Sequence, residues 1–167
     1  MRFPAVQGIN LLRTQVQLPE ELDGELNVVL VAFQQWQQAM VDSWIPFLEE
    51  LERRFPYLRY YELPTIQRLD PLSRFFINEG MRAGIPHAET RAKTVTLYVD
   101  KKAFRQALEM ADENTIYVFL LDRSGNVLWR TEGAHVAGKG EYLAKVLDQL
   151  HGSLSRDPNA RTGADAA

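Results

Sequence analysis

Apolar runs of strand length alternate along the chain with segments that repeat apolar side chains at helical spacing. Strands are predicted at residues 27–33, 57–63 (closed by Pro64), 94–99, 115–121 and 127–130. The first and fourth of these runs are almost entirely apolar, which is typical of strands buried on both faces of a sheet. The last run follows a turn in which Gly125 can adopt positive φ, and we expect it to return antiparallel to its predecessor.

The main predicted helix covers residues 39–55, where apolar side chains recur every three or four positions. Pro46 lies inside this helix and is expected to bend it, while Pro56 ends it. Further helices are predicted at residues 70–83 (N-cap Asp70, stop at Gly84), 101–110 (N-cap Asp100) and 140–150.

The resulting order of elements is β-α-β-α-β-α-β-β-α. Strands that alternate with helices imply parallel pairing through right-handed crossovers, and the final turn adds one antiparallel neighbour. The sequence therefore predicts an α/β fold with a mixed central sheet and helices on both faces. We expect one domain at residues 1–151 and a disordered tail at residues 152–167. Residues 1–26 show no clear period, and residues 85–92 are predicted to form a loop.

Composition and charge narrow the class of protein. The chain has 167 residues, a net charge of −3 and an isoelectric point near 5.7, which argues against a nucleic-acid binder. No apolar run is long enough to cross a bilayer, and the first residues lack the features of a secretory signal. These features predict a soluble, cytoplasmic protein.

Cysteine is absent from the sequence. Disulfide bonds and thiolate metal sites are therefore excluded, and so are thiol–disulfide exchange and peroxide reduction, since the thiolate is the nucleophile in that chemistry.

The strand at residues 27–33, the loop containing Trp36 and the helix kinked by Pro46 resemble the active-site segment of thioredoxins. Counting back from Pro46 places Gln38-Ala39-Met40-Val41 where that family has Cys-x-x-Cys. Asn114-Thr115 stands where it has a cis-proline. Residues 94–110 and 117–129 resemble the larger peroxiredoxin and TlpA-type members. The resemblance implies a three-layer thioredoxin-like fold whose redox site is lost.

A cysteine-independent group within this superfamily, the mitochondrial ATP-synthase assembly factor family, is more similar still. The segment at residues 117–129, followed by Glu132-Gly133, resembles the closing stretch of those proteins, as does the segment at residues 80–86. The likeness covers about residues 27–150. It implies chaperone-like contact with a membrane-protein client.

Other chemistry has little support in the sequence. His87, His135 and His151 are too far apart to suggest a metal site by spacing. Asp42 and Ser43 are expected to cap the main helix. The nucleophile-elbow motif of serine hydrolases and glycine-rich phosphate loops are both missing. We therefore predict no catalytic residues, no metal and no cofactor.

The polar patch at residues 34–38 is the strongest candidate for a binding site. Ligands of open α/β sheets bind beyond the carboxyl ends of strands, and Trp36 follows such an end. The predicted binding edge consists of Gln35, Trp36, Gln38, Asp42, Asn114 and Thr115. In the alternative interpretation, Trp36 only covers the end of the helix and the glutamines are solvated. Trp44 and Trp129 are predicted to be core or sheet-packing residues.

Three hypotheses for function follow. The first is a non-enzymatic binding or assembly module that contacts a protein client through this edge. The second is a thiol-independent enzyme that uses Asp42 and His87 at the same edge. The third is a homodimeric subunit that pairs through a sheet edge or through the strand of Tyr57, Tyr60 and Tyr61.

Overall fold

The computed structural model describes residues 1–68 and 92–154. They divide between two compact units, Met1–Ala134 and His135–Ala167. The strands are β1 Val6–Asn10, β2 Gln15–Leu18, β3 Leu26–Ala32, β4 Leu58–Gln67, β5 Val95–Val99, β6 Tyr117–Asp122 and β7 Val127–Glu132. The α-helices are α1 Gln38–Arg54, α2 Lys101–Ala107 and α3 Ala137–Leu154, and a short 3-10 helix covers Gln35–Gln37.

The strands form one mixed sheet in the order β2-β1-β5-β4-β3-β6-β7. The pairs β3–β4 and β4–β5 are parallel, and the other neighbours are antiparallel. The predicted α/β fold with a mixed sheet is confirmed, and so is the β6–β7 hairpin, in which Gly125 has φ +84°.

The direction of β6 differs from the expected parallel pairing. β6 runs antiparallel to β3, with Val31 opposite Tyr117. The connection from β5 to β6 contains the seven-residue helix α2 and begins and ends at the same edge of the sheet. The chain therefore enters β6 from the edge at which β5 ended.

The N-terminal hairpin of β1 and β2 was not predicted. β1 pairs with β2 and, on its other side, with β5. Its pattern is short and interrupted by Gly8, which packs against its neighbour: a Cβ at this position would lie 2.5 Å from Val95 Cγ1. Glycine is thus required here by close approach rather than by a turn, and it hides the strand pattern.

The predicted end of β4 at Pro64 is also wrong. Pro64 pairs with Ala32, the last residue of β3, and the three residues that follow it pair with β5 alone. A proline is tolerated here because the neighbouring ladder ends at the position where its N–H donor is missing.

The core lies on both faces of the sheet. One face packs Val29 and Val31 with Phe104 of α2. The alternating residues face the other way, where Trp129 lies opposite Leu120 and its ring is 6.4 Å from that of Trp44 in α1. Helices α1 and α2 therefore cover opposite faces. Trp44 and Trp129 occupy the two environments expected of them: Trp44 is fully buried in the core, and Trp129 is partly buried on the sheet.

The helices of the described residues lie close to their predicted positions. Pro46 lies inside α1, and the Asp100 side chain accepts hydrogen bonds from the N–H groups of Lys102 and Ala103, as expected of an N-cap. The second unit contains α3, which begins before the predicted residue 140 and continues to Leu154. The helix predicted at residues 70–83, nearly all of the loop at 85–92 and the tail from residue 155 lie outside the described residues.

Candidate functional site

The carboxyl end of β3 and the segment before β6 lie at the same edge of the sheet. β3 ends at Ala32 and leads through the 3-10 helix into α1, which begins at Gln38. The antiparallel register of β3 and β6 brings the start of β6 to this edge. The Thr115 hydroxyl consequently lies 3.9 Å from the Met40 sulfur. The two segments that correspond to the thioredoxin motif and to its cis-proline loop are thus in contact, although the cis peptide bond of this chain joins Leu18 and Pro19.

The side chain of Gln37 links the two segments that meet at this edge. Its side chain is fully buried. Oε1 accepts hydrogen bonds from the N–H groups of Phe33 (2.8 Å) and Gln34 (3.2 Å), and Nε2 donates to the Glu113 carbonyl at 2.7 Å. One amide therefore ties the loop after β3 to the segment before β6. The interpretation of residues 34–38 as solvated glutamines is wrong for this residue.

Trp36 has the opposite environment. Its side chain is 60 % exposed, whereas Trp44 is fully buried and Trp129 is partly buried. Most of its side chain is therefore open to solvent. Gln35 and Asn114 are exposed as well, and the backbone N–H of Asn114 donates to the Asp112 carboxylate at 2.8 Å.

Gln38 connects two carboxylates. Its Nε2 donates to Asp42 Oδ1 at 2.9 Å and reaches Glu62 Oε1 at 3.4 Å. The Thr94 hydroxyl donates to the other oxygen of Glu62 at 3.0 Å. Gln38 and Asp42 of the predicted edge are thus joined, and Glu62 and Thr94 are additional members that the sequence analysis did not single out. The available signal for Glu62 was a carboxylate that directly follows two tyrosines in an aromatic-rich strand.

Burial raises the pKa of Glu62. The hydrogen bonds from Thr94 and Gln38 favour the ionised form and oppose this shift, whereas the nearby Asp42 carboxylate adds to it. The dominant cause is desolvation, so this carboxylate is less well solvated than an ordinary surface glutamate.

Asp42 and Ser43 do not cap α1, contrary to expectation. The helix begins at Gln38, so both residues lie in its second turn. Asp42 accepts the hydrogen bond from Gln38, and the Ser43 hydroxyl donates to the Met40 carbonyl. The cap prediction was wrong because the helix starts immediately after the 3-10 turn.

Three groups of residues relate to the metal, enzyme and dimer hypotheses. Within residues 1–68 and 92–154, no three His, Cys, Asp or Glu side chains are grouped so as to hold a metal ion. His87, which the enzyme hypothesis combines with Asp42, lies outside these ranges. The strand with Tyr60 and Tyr61 offers no dimer edge, because β4 lies between β5 and β3 and both rings are buried.

Solved structures similar to this chain have thioredoxin-like folds. BsSco, a member of the Sco family of cytochrome c oxidase assembly proteins, is 14% identical with a TM-score of 0.58, covering 88% of this chain and 92% of its own. Arabidopsis thaliana ScoI with copper bound is 11% identical with a TM-score of 0.59, covering 89% and 99%. The mitochondrial 2-Cys peroxiredoxin of Plasmodium falciparum is 13% identical with a TM-score of 0.54, covering 92% and 94%. At these identities the likeness shows the fold alone.

The chain is therefore a thioredoxin-like α/β protein without cysteine, and the predicted fold class is confirmed. A family model described as ATP10 protein matches residues 1–150. The chain belongs to this family of ATP synthase assembly factors, as the resemblance noted from the sequence implied. No curated protein sequence matches it. In the part of the chain that the structure describes, no helix is long and apolar enough to cross a membrane.

Proposed function

We propose that this protein assists the assembly of a membrane protein complex by holding a client polypeptide, without redox chemistry. The contact is made by the Trp36 surface, which we define as Gln35, Trp36, Gln38, Asp42, Asn114 and Thr115. Family membership and the fold fit an assembly role. The absence of cysteine removes the thiol chemistry that thioredoxin-like folds otherwise perform at this edge.

The observation that carries the proposal is the contrast between Trp36 and the residue that follows it. Trp36 is 60 % exposed, while the neighbouring Gln37 is fully buried and fixed by three hydrogen bonds. An exposed indole on a rigid base loses little conformational entropy on binding and provides a large apolar contact. Tryptophan is accordingly among the residues that most often dominate binding energy at protein interfaces.

Affinity capture from a native extract tests the proposal. Trp36→Ala and Gln38→Ala should abolish capture of the client. Trp36→Ala removes a central aromatic contact, which costs about 2–4 kcal/mol, or roughly 30-fold or more in affinity. Gln38→Ala removes the amide that contacts both Asp42 and Glu62. Tyr142→Ala is the matched control, since Tyr142 is an equally exposed aromatic residue (62 %) in the other unit.

Circular dichroism should show that all three variants remain folded. If Trp36→Ala captures the same client as the unmodified chain, or if Tyr142→Ala loses it equally, the Trp36 surface is not the binding site.

A further inference from the structure

The Trp36 surface and the adjoining Glu62 carry negative charge that is not balanced by an ion pair within the described residues. Asp42 is exposed and Glu62 is half-buried, and the hydrogen-bond partners of both are neutral. Two lysines of this unit are engaged with other carboxylates: Lys93 pairs with Glu52, and Lys101 pairs with Glu113 at 2.5 Å. A client could therefore supply the missing positive charge.

Both carboxylates lie within reach of the same amide nitrogen. The Gln38 amide contacts both of them, at 2.9 Å and 3.4 Å. An amide satisfies part of their hydrogen-bonding capacity but does not neutralise their charge. The carboxylates keep further lone pairs, and a charge-assisted hydrogen bond from a cation is stronger than a neutral one.

Apolar side chains lie near this charge along the chain. Trp36 precedes Gln38 by two residues, and Met40, half-buried next to Thr115, follows it by two. The indole and the amide that contacts the carboxylates thus belong to consecutive turns, and an extended peptide, which rises about 3.3 Å per residue, spans such a distance with a few residues.

We propose that the client segment bound at the Trp36 surface presents a lysine or arginine next to an apolar residue. The cationic group binds the carboxylates of Asp42 and Glu62, and the apolar side chain packs on the Trp36 indole. This inference rests on the proposed function and specifies the chemistry of its client. A free metal cation would satisfy the charge but leave the indole unused, and an acidic partner would be repelled.

Two matched peptides test the proposal with the full chain. One is acetyl-Ser-Leu-Phe-Lys-Leu-Ser-amide, and the other has norleucine, which keeps the four-carbon stem without the ammonium group, in place of lysine. Titration is followed by calorimetry and by the NMR signal of the Trp36 indole N–H, assigned with Trp36→Ala, at about 0.05 M and about 0.5 M salt.

We expect the lysine peptide to shift the indole signal and to bind about tenfold more tightly than the norleucine peptide at low salt, with a smaller preference at high salt. Asp42→Asn, which keeps the acceptor for Gln38, should reduce this preference several-fold. Glu20→Gln is the control, because Glu20 is an exposed carboxylate in the segment after β2.

Equal binding of the two peptides, binding of neither, or an unchanged preference in Asp42→Asn would overturn the charge inference. The proposed function is judged separately. If the unmodified chain captures a client that Trp36→Ala does not, the function stands even when the charge inference fails. If Trp36→Ala leaves the capture of the client unchanged, the proposed function fails as well.

Discussion

Replacing Gln37 with methionine tests whether the buried amide holds the two halves of the binding edge together. Methionine has a similar length and no branching, so it fills the space without adding polar atoms. The substitution leaves the N–H groups of Phe33 and Gln34 and the carbonyl of Glu113 without the partner that each has in the structure.

The size of the effect follows from the burial of these three groups. A buried donor or acceptor that loses its partner costs about 1–3 kcal/mol. Phe33 is buried, whereas Gln34 is exposed and Glu113 is partly exposed, so water can replace some of what is lost at the last two. We therefore expect the free energy of unfolding to fall by about 2–4 kcal/mol, a large part of the 5–15 kcal/mol typical of a domain.

Urea denaturation followed by circular dichroism measures this change, and the melting temperature should fall by about 4–16 °C at roughly 2–4 °C per kcal/mol. Gln35→Met is the matched control, since Gln35 lies exposed in the same 3-10 helix and should change the unfolding free energy by less than about 0.5 kcal/mol. If Gln37→Met is as stable as this control, the hydrogen bonds of Gln37 do not stabilise the edge.

Three further predictions concern stability. The pKa of Glu62 is raised in the folded protein, mainly by burial and also by Asp42. The stability that Glu62 contributes is therefore fully present below its ordinary pKa of 4.5 and is lost as pH rises through the folded pKa. Urea titrations across pH should show this loss in the unmodified chain and not in Glu62→Gln, and parallel curves would contradict it. Gly8→Ala should lower the unfolding free energy by about 1–3 kcal/mol, because the added Cβ would approach Val95 to 2.5 Å; unchanged denaturation would show that β1 shifts freely. Arg130→Met should lower the unfolding free energy by about 1–3 kcal/mol in the same assay, because the Arg130 guanidinium donates to the Leu108 carbonyl at the end of α2 at 2.7 Å. A change within experimental error would show that this hydrogen bond does not stabilise the protein.

Elements with a strong local pattern could be predicted from the sequence. The apolar run that became β3 and the three- and four-residue spacing in α1 depend only on neighbours along the chain. The turn at Gly125 was predictable for the same reason, since the preference of glycine for positive φ does not depend on the rest of the fold.

The direction of β6 and the hairpin of β1 and β2 could not be predicted in this way. The direction of β6 depends on which edge of the sheet the chain reaches after a short helix. β1 is stabilised by pairing with β5, which lies far away in sequence and accommodates Gly8 at close approach. Both features are decided by tertiary contacts.

The structure adds Gln37 and Glu62 to the edge that the sequence predicts. Gln37 extends the buried stripe of Val41 and Trp44 by one turn toward the N-terminus, a signal that its polar neighbours concealed. Glu62 joins the site only because β4 lies beside β3 in the sheet, which places it within reach of Gln38.

Two residues of α1 stand where the thioredoxin resemblance places the cysteines. Gln38 begins α1 at the place where the first cysteine of a thioredoxin motif would lie, and Val41, at the place of the second, is buried. A thiolate there would be stabilised by the helix N-terminus, whereas the Gln38 side chain donates to Asp42 and Glu62 instead. The exposed side chains of Trp36 and Asp42 thus lie near the position that the resemblance assigns to the nucleophile.

The amount of assembled ATP synthase in cells whose only copy of this protein carries Trp36→Ala tests the central proposal most directly. Native gel electrophoresis of the membranes measures it, with Tyr142→Ala as the control and immunoblotting to show equal amounts of the two variants. The account predicts a several-fold loss of the assembled enzyme with Trp36→Ala and a normal level with Tyr142→Ala. A normal level with Trp36→Ala would contradict it.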